Sequence, residues 1–331
     1  MQAEMISNKA VVPDKVQYPF PEMNFILTKE QRDECLVRPE SIELLRVMPD
    51  DVREIFLRMY YGISQNFDLD KEFVQGWFLA NSEISRLVKA FPPTGHIYGT
   101  LYREPGREAK GVIDPYFPRS SAGSKIFYRK ESVKNYLRCL IPRLYYEKNR
   151  IIKIDDFASS HSRALSDLLA ENPDIIEMVH IRSIDCDKTI LDVLENRLKE
   201  LDQNQATKGI KDAFELCCMK LHEAPPHNAD VVMIIGVICG MTVEDSIKPL
   251  FLANCFGGPS ATLIVSAAQV EMGVGDPLTV LIMYIMGWYM RLKTPQCCFD
   301  LVRQAGWTPN SKESFFESER HYHFMVVANK L

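Results

Sequence analysis

Residues 150–169, R-I-I-K-I-D-D-F-A-S-S-H-S-R-A-L-S-D-L-L, constrain the fold of this chain more than any other stretch. Ile151, Ile152 and Ile154 form a β-branched apolar run that reads as a short buried strand. Asp155 and Asp156 close it, and a loop of mostly small residues covers 157–162. Ala164, Leu165, Leu168 and Leu169 then repeat at helical spacing. A strand, a tight turn and a helix with a carboxylate at the strand's end make one half of a βαβ unit. In open α/β sheets, ligands sit in the crevice outside the carboxyl ends of the strands.

Beyond residue 150 the chain continues to alternate. A second strand runs through Val179, Ile181 and Ile184 and ends in Asp185-Cys186-Asp187. A helix follows with Leu191, Leu194 and Leu198 on its inner face. Residues 229–236, A-D-V-V-M-I-I-G, are a continuous apolar run closed by glycine, which is the pattern of a fully buried parallel strand. Next come a helix at 247–255, a Gly257-Gly258-Pro259 turn and a strand at 261–267. Helices are expected at 278–293, with Tyr284, Trp288, Tyr289 and Arg291, and at 299–305, ending on Gly306-Trp307. Two strands, at 313–319 and 323–328, close the chain. Such alternation predicts a mostly parallel sheet with helices on both faces.

The order of these elements resembles the class I S-adenosylmethionine-dependent methyltransferases. The 156–162 stretch resembles their first motif, D-h-G-x-G-x-G, with Asp156 and Phe157 in place and Ala158, Ser160 and Ser162 standing at the three glycine positions. Ala and Ser are the smallest substitutes, but a positive φ is not free at any of the three. The resemblance implies a Rossmann-like, seven-stranded, mostly parallel sheet with an antiparallel last strand, and S-adenosylmethionine as cofactor. It assigns cofactor contacts to Asp156, Ala158, Ser160 and Ser162. It places the ribose hydroxyls on Asp185, since a carboxylate accepts two donors at once. Cys186 lies beside it, and Asp187 is either the fallback or the cap of the next helix. Asp212-Ala213, within G-I-K-D-A-F, resembles the adenine-contacting pair and also reads as a helix start. Gly236 borders the reacting methyl group, with Cys239 nearby as a buried inert thiol. Leu301 with Ala305-Gly306-Trp307 resembles a late element of the family. No comparable match covers 1–149.

Those first residues are read from pattern alone. Residues 1–28 are an irregular arm that Tyr18, Phe20 and Phe25 could pin to the surface. Thr28 and Gln31 resemble a capping box, and helices follow through 29–90. Core packing explains Tyr60, Tyr61, Trp77 and Phe78 better than a substrate pocket does. Residues 91–124 are turn-rich, with a short hairpin suggested by His96, Tyr98 and Tyr102 and a role in substrate contact. Residues 125–149 form a helix ahead of the first strand of the cofactor domain. The domains expected are therefore 1–124, a mainly helical cap or dimerisation region, and 125–331, a Rossmann-like methyltransferase domain.

Composition narrows the functions. A net charge of −5 leaves no electrostatic footprint for nucleic acid. Nine cysteines without a C-x-x-C pair exclude a zinc framework and fit a reducing cytoplasm. No signal-like segment or membrane span is expected; the most apolar stretch, 278–290, is too short to cross a bilayer. The expected activity is methyl transfer to a small-molecule acceptor, with a homodimer left open. Tyr128, Glu271 and Trp288 are the candidate acceptor contacts. The catalytic residue is unknown, with His96, His161 and Glu271 as candidate bases for a protonated acceptor. The rivals are a non-catalytic methyltransferase-like scaffold and an NAD-dependent oxidoreductase. The second needs glycines to cradle a pyrophosphate.

Overall fold

The computed structural model describes residues 14–17, 26–90, 97, 101 and 110–330. The anchors Tyr18, Phe20 and Phe25 and the hairpin expected around His96, Tyr98 and Tyr102 lie outside the described residues. The chain divides into two compact units, Met1–Phe127 with Gln269–Leu292, and Tyr128–Ala268 with Lys293–Leu331.

In the first unit a short antiparallel pair, β1 (Lys15–Gln17) and β2 (Ile26–Thr28), leads into helices. Thr28 and Gln31 form the reciprocal capping box of α1 (Lys29–Leu36). α2 (Pro39–Val47) starts on a proline, and α3 (Asp50–Tyr60) carries Asp50 and Asp51 at the positive end of its dipole. The helical pattern read through 70–90 is two helices, α4 (Phe67–Asn81) and α5 (Glu83–Ala90). Ser82 breaks them with an extended backbone, because buried Asp114 takes its hydroxyl and the Glu83 and Ile84 amides. Tyr60, Tyr61 and Phe78 are buried here as core residues, and Phe78 packs against Phe56. After α6 (Tyr116–Arg119), α7 (Ser121–Lys148) carries the chain into the second unit.

That unit is built on one sheet in the order β5-β4-β3-β6-β7-β10-β8, with β9 also paired to β10. β3 (Ile152–Phe157) is followed by α8 (Arg163–Glu171), β4 (Val179–Asp185), α9 (Lys188–Asp202) and β5 (Phe214–Cys218). β6 (Ala229–Ile234), α10 (Val243–Phe256) and β7 (Gly257–Ala268) come next. β3 to β7 are parallel, and β10 (His323–Asn329) runs antiparallel between β7 and the short β8 (Thr308–Pro309). β9 (Phe315–Phe316) is a two-residue strand beside it. Every residue of β6 is buried, as expected of a central parallel strand.

One core packs Val133 and Leu137 of α7, Leu165 and Leu168 of α8 and Leu194 of α9 onto Ile154, Ile181, Met233 and Met325. The opposite face packs Leu250 and Ala253 of α10 and Leu301 of α13 (Pro295–Gln304) onto Val232, Leu263 and Val326. The two-residue alternation of β3 therefore sends its carboxylates to opposite faces. Asp155 faces the second core, where Arg182, its register partner on β4, grips it through two bonds of 3.0 and 2.7 Å. His227 Nδ1 lies 2.9 Å from the same carboxylate. Asp156 faces the α7 side.

Between β7 and α13 the chain makes α11 (Val270–Gly275) and α12 (Pro277–Ile285), which belong to the first unit, not the second. Asp276 caps α12, accepts from the Ala122 amide at 2.8 Å, and is pushed above the usual carboxylate range by burial. The helix expected to reach residue 293 stops at Ile285. Gly287 sits at a φ of 85° and donates to Tyr284, while Trp288 donates to Met283, a helix-ending pair of bonds that the left-handed glycine permits.

Candidate cofactor site

The strand–turn–helix unit supplies the site's first wall. Asp156 is the penultimate residue of β3 and is buried; its carboxylate accepts the Ser162 hydroxyl at 2.5 Å. Burial raises its pKa to about 7, and the nearby Asp185 and Asp155 charges add to the rise against that hydrogen bond. Beyond it, Ala158, Ser160 and Ser162 all have left-handed backbones, with φ of 48°, 50° and 44°. These are the positions where the resemblance places glycine. Each such residue costs about 1–2 kcal/mol relative to an unstrained backbone. The turn is held by Ser159 N donating to Ile184 O at 3.1 Å and Ser162 N donating to Ser159 O at 2.8 Å. Ser162 then leads into α8. Among the described residues, the Ser159 and Ser160 hydroxyl oxygens are buried without a hydrogen-bond partner.

Asp185 ends β4, the neighbouring strand. One carboxylate oxygen accepts the Ser160 amide at 2.9 Å and the other the Asp187 amide at 3.0 Å. A carboxylate has about four acceptor positions, so capacity for two donors remains. Asp187 caps α9, accepting from Thr189 N at 2.9 Å. Cys186 is exposed between them.

Asp212 and Ala213 are not brought here. They precede β5, and Ala213 O accepts from Ile181 N, whereas Cys218 at the other end of β5 is level with Asp185. At ~3.3 Å per residue, that puts Ala213 roughly 16 Å from the sheet end that carries Asp185. The segment at the right end is Cys218-Met219, and Met219 N donates to Asp185 O at 3.0 Å. A short Asp-Ala match is indifferent to strand polarity; locating the strand as 214–218 would have pointed to Met219.

Gly236 follows β6 and donates to the Ser266 hydroxyl at 2.8 Å. A side chain there would meet the Arg129 guanidinium, since a Cβ would stand 3.0 Å from both terminal nitrogens. Arg129 is 4% exposed, whereas its neighbour Tyr128 is 47% exposed. Cys239 is buried, with the Ala268 amide on its sulfur at 3.2 Å. Buried Lys293 donates to Ile238 O and Met241 O and so fixes the loop after β6. His161 is buried in the serine turn. Glu271, exposed on α11, and Trp288, half-buried after α12, lie in the first unit. Among the described residues no His/Cys/Asp/Glu group could hold a metal ion, and no helix is long and apolar enough to cross a membrane.

The parallel strands, the antiparallel β10 and the strand order define the fold of the class I S-adenosylmethionine-dependent methyltransferases. No protein-family model and no curated protein matches the chain. Among solved structures it is similar to one described as a possible exported protein from Bordetella parapertussis, with a TM-score of 0.62 and 14% identity over 88% of this chain and 97% of that one. It is also similar to RosA of Streptomyces davawensis, an N,N-8-amino-8-demethyl-D-riboflavin dimethyltransferase, with a TM-score of 0.51 and 12% identity over 95% of this chain and 75% of that one.

Proposed function

We propose that the chain is an S-adenosylmethionine-dependent methyltransferase acting on a small-molecule acceptor. The observation that carries the reading is the serine turn. Three residues without glycine's freedom hold the left-handed backbone of a glycine motif, directly beside an acidic residue on the next strand. Strain of this kind persists where the surrounding structure imposes it and function uses it. Asp156, Ala158, Ser160 and Ser162 would shape the turn around the cofactor. The spare lone pairs of Asp185 would take the ribose hydroxyls, with Cys186 and Gly236 along the same edge. The Ser159 and Ser160 hydroxyls would meet ligand oxygens. When bound, the cofactor supplies a methyl group on a good leaving group, so the protein's work is in-line positioning and exclusion of water. RosA's small-molecule substrate class supports the acceptor half of the reading.

The second reading is a non-catalytic binding protein, and the glycine-free turn favours it. A thermal-shift scan separates the readings: S-adenosylhomocysteine should stabilise the protein and NAD should not. Asp185→Ala should weaken S-adenosylhomocysteine binding roughly 10- to 100-fold, the cost of losing hydrogen bonds to a charged group. Binding without release of S-adenosylhomocysteine from S-adenosylmethionine across an acceptor panel would favour the scaffold. No binding at all would overturn the proposal.

A further inference from the structure

Two cysteines stand at the ends of neighbouring strands, beside the carboxylate read as the ribose acceptor. Cys186 directly follows β4, and Cys218 is the last residue of β5. Both are exposed and carry free thiols. Cys218 is the register partner of Asp185, and the Met219 N to Asp185 O bond holds the two strand ends together. At ~4.8 Å between strands and ~3.3 Å per residue, the Cα atoms of Cys186 and Cys218 are roughly 6 Å apart. Cα atoms about 4.4–6.8 Å apart can carry a disulfide. Cys218 also leans towards its neighbour, with its Sγ 4.0 Å from Cys186 O.

The other cysteines are not so placed. Cys35, Cys239 and Cys298 are buried, and Cys217 and Cys297 pack with the second core. Cys139 on α7 and Cys255 on α10 are exposed, but those helices pack on opposite faces of the sheet. Access favours the same pair. Among the described residues β5 is the edge of the sheet, and a groove of about 370 Å³ runs between it and α9. Phe214 and Leu216 line the groove along the strand, with Cys218 and Lys188 at the end nearest Asp185. A small thiol-reactive molecule can therefore reach Cys218 from the side of the sheet.

We propose that Cys186 and Cys218 are a reversible redox pair whose disulfide closes the adenine end of the cofactor site. The closing rests on the methyltransferase reading; the bond itself does not. In the strand order β5-β4-β3-β6, a ribose on Asp185 of β4 with its sulfonium end towards Gly236 leaves the base pointing to β5. The crevice there lies between Cys186 and Cys218-Met219, and a bridge across it fills that space with two sulfurs. The oxidant is a low-molecular-weight disulfide of the glutathione kind. The Cys218 thiol gives its proton to water, and the thiolate attacks one sulfur of that disulfide; the S–S bond breaks and one glutathione thiolate leaves. The Cys186 thiolate, deprotonated in the same way, then attacks the Cys218 sulfur of the mixed disulfide, and the second glutathione leaves. Both protein thiols are oxidised to one disulfide, and the reagent is reduced to its thiols. An external dithiol runs the exchange in reverse.

The test incubates the full chain with oxidised glutathione and maps its peptides by mass spectrometry without reduction. Wild type should yield a peptide pair linked through Cys186 and Cys218. Cys186→Ser should stop at a glutathione adduct on Cys218, and Cys218→Ser at one on Cys186, because each variant lacks the second thiol. In calorimetric titration the bridged protein should bind S-adenosylhomocysteine about tenfold or more weakly than the reduced protein, and dithiothreitol should restore the affinity. Wild-type adducts that never resolve into the linked pair, or linkage to another cysteine, overturn the redox pair. Undiminished affinity in the bridged protein overturns the closing. If the reduced protein binds no S-adenosylhomocysteine, the methyltransferase reading fails and the closing with it, while the linked peptides still decide the bond.

Discussion

Ser160 occupies a backbone position that favours glycine, and this has a measurable cost. Replacing it with glycine relieves about 1–2 kcal/mol of left-handed strain and adds about 0.5–1 kcal/mol of unfolded-state entropy. Ser160→Gly should therefore raise unfolding free energy by roughly 0.5–1 kcal/mol in urea titration. A loss of stability would mean the turn is not strained. Asp156 gives a second readout. Its folded pKa of about 7 lies above the ordinary carboxylate value, so the folded state holds a proton that the unfolded state has released. This contribution to stability is full below about pH 4, falls as pH rises to about 7, and is flat above, a total of about 4 kcal/mol. Asp156→Asn should lack that slope and be no less stable than wild type at pH 8. The sequence showed Asp156 and the three replaced glycines by alignment. It could not show that the backbone keeps the glycine conformation, which depends on bonds from Ser159 and Ser160 to the neighbouring strand.

At the scale of elements, β3 and β4 are joined by more than their ladder. Asp155 and Arg182 face each other across it, both 5% exposed or less, with His227 completing the group. Breaking a buried pair leaves an uncompensated charge, so Arg182→Met should cost about 3–5 kcal/mol. An Asp155→Asn/Arg182→Met double variant should recover part of that loss in the same urea titration. A double variant worse than the sum would remove the pair as the cause. Strands were legible wherever the apolar run was long, as in β6. The errors arose where pattern and geometry part. Trp288 and Met290 prolong the apolar pattern past Gly287, which ends α12. Asp212-Ala213 looks like a functional pair and lies at the amino end of β5, while the useful end begins at Met219.

For the whole molecule, strand alternation anticipated the parallel sheet, and the family resemblance its antiparallel member. It did not reveal that 269–292 packs with the N-terminal helices, because that depends on contacts such as Asp276 with Ala122 and Tyr116 with Thr279, far apart in the chain. The central claim is that the mouth of this sheet, between the serine turn and Asp185, holds an adenosyl ligand. Hydrogen exchange read by mass spectrometry, with and without S-adenosylhomocysteine, tests it most directly. Peptides covering 157–163 and 185–187 should become protected, and those covering 209–213 should not change. Unchanged exchange at both strand ends, or protection confined to 209–213, would contradict the account.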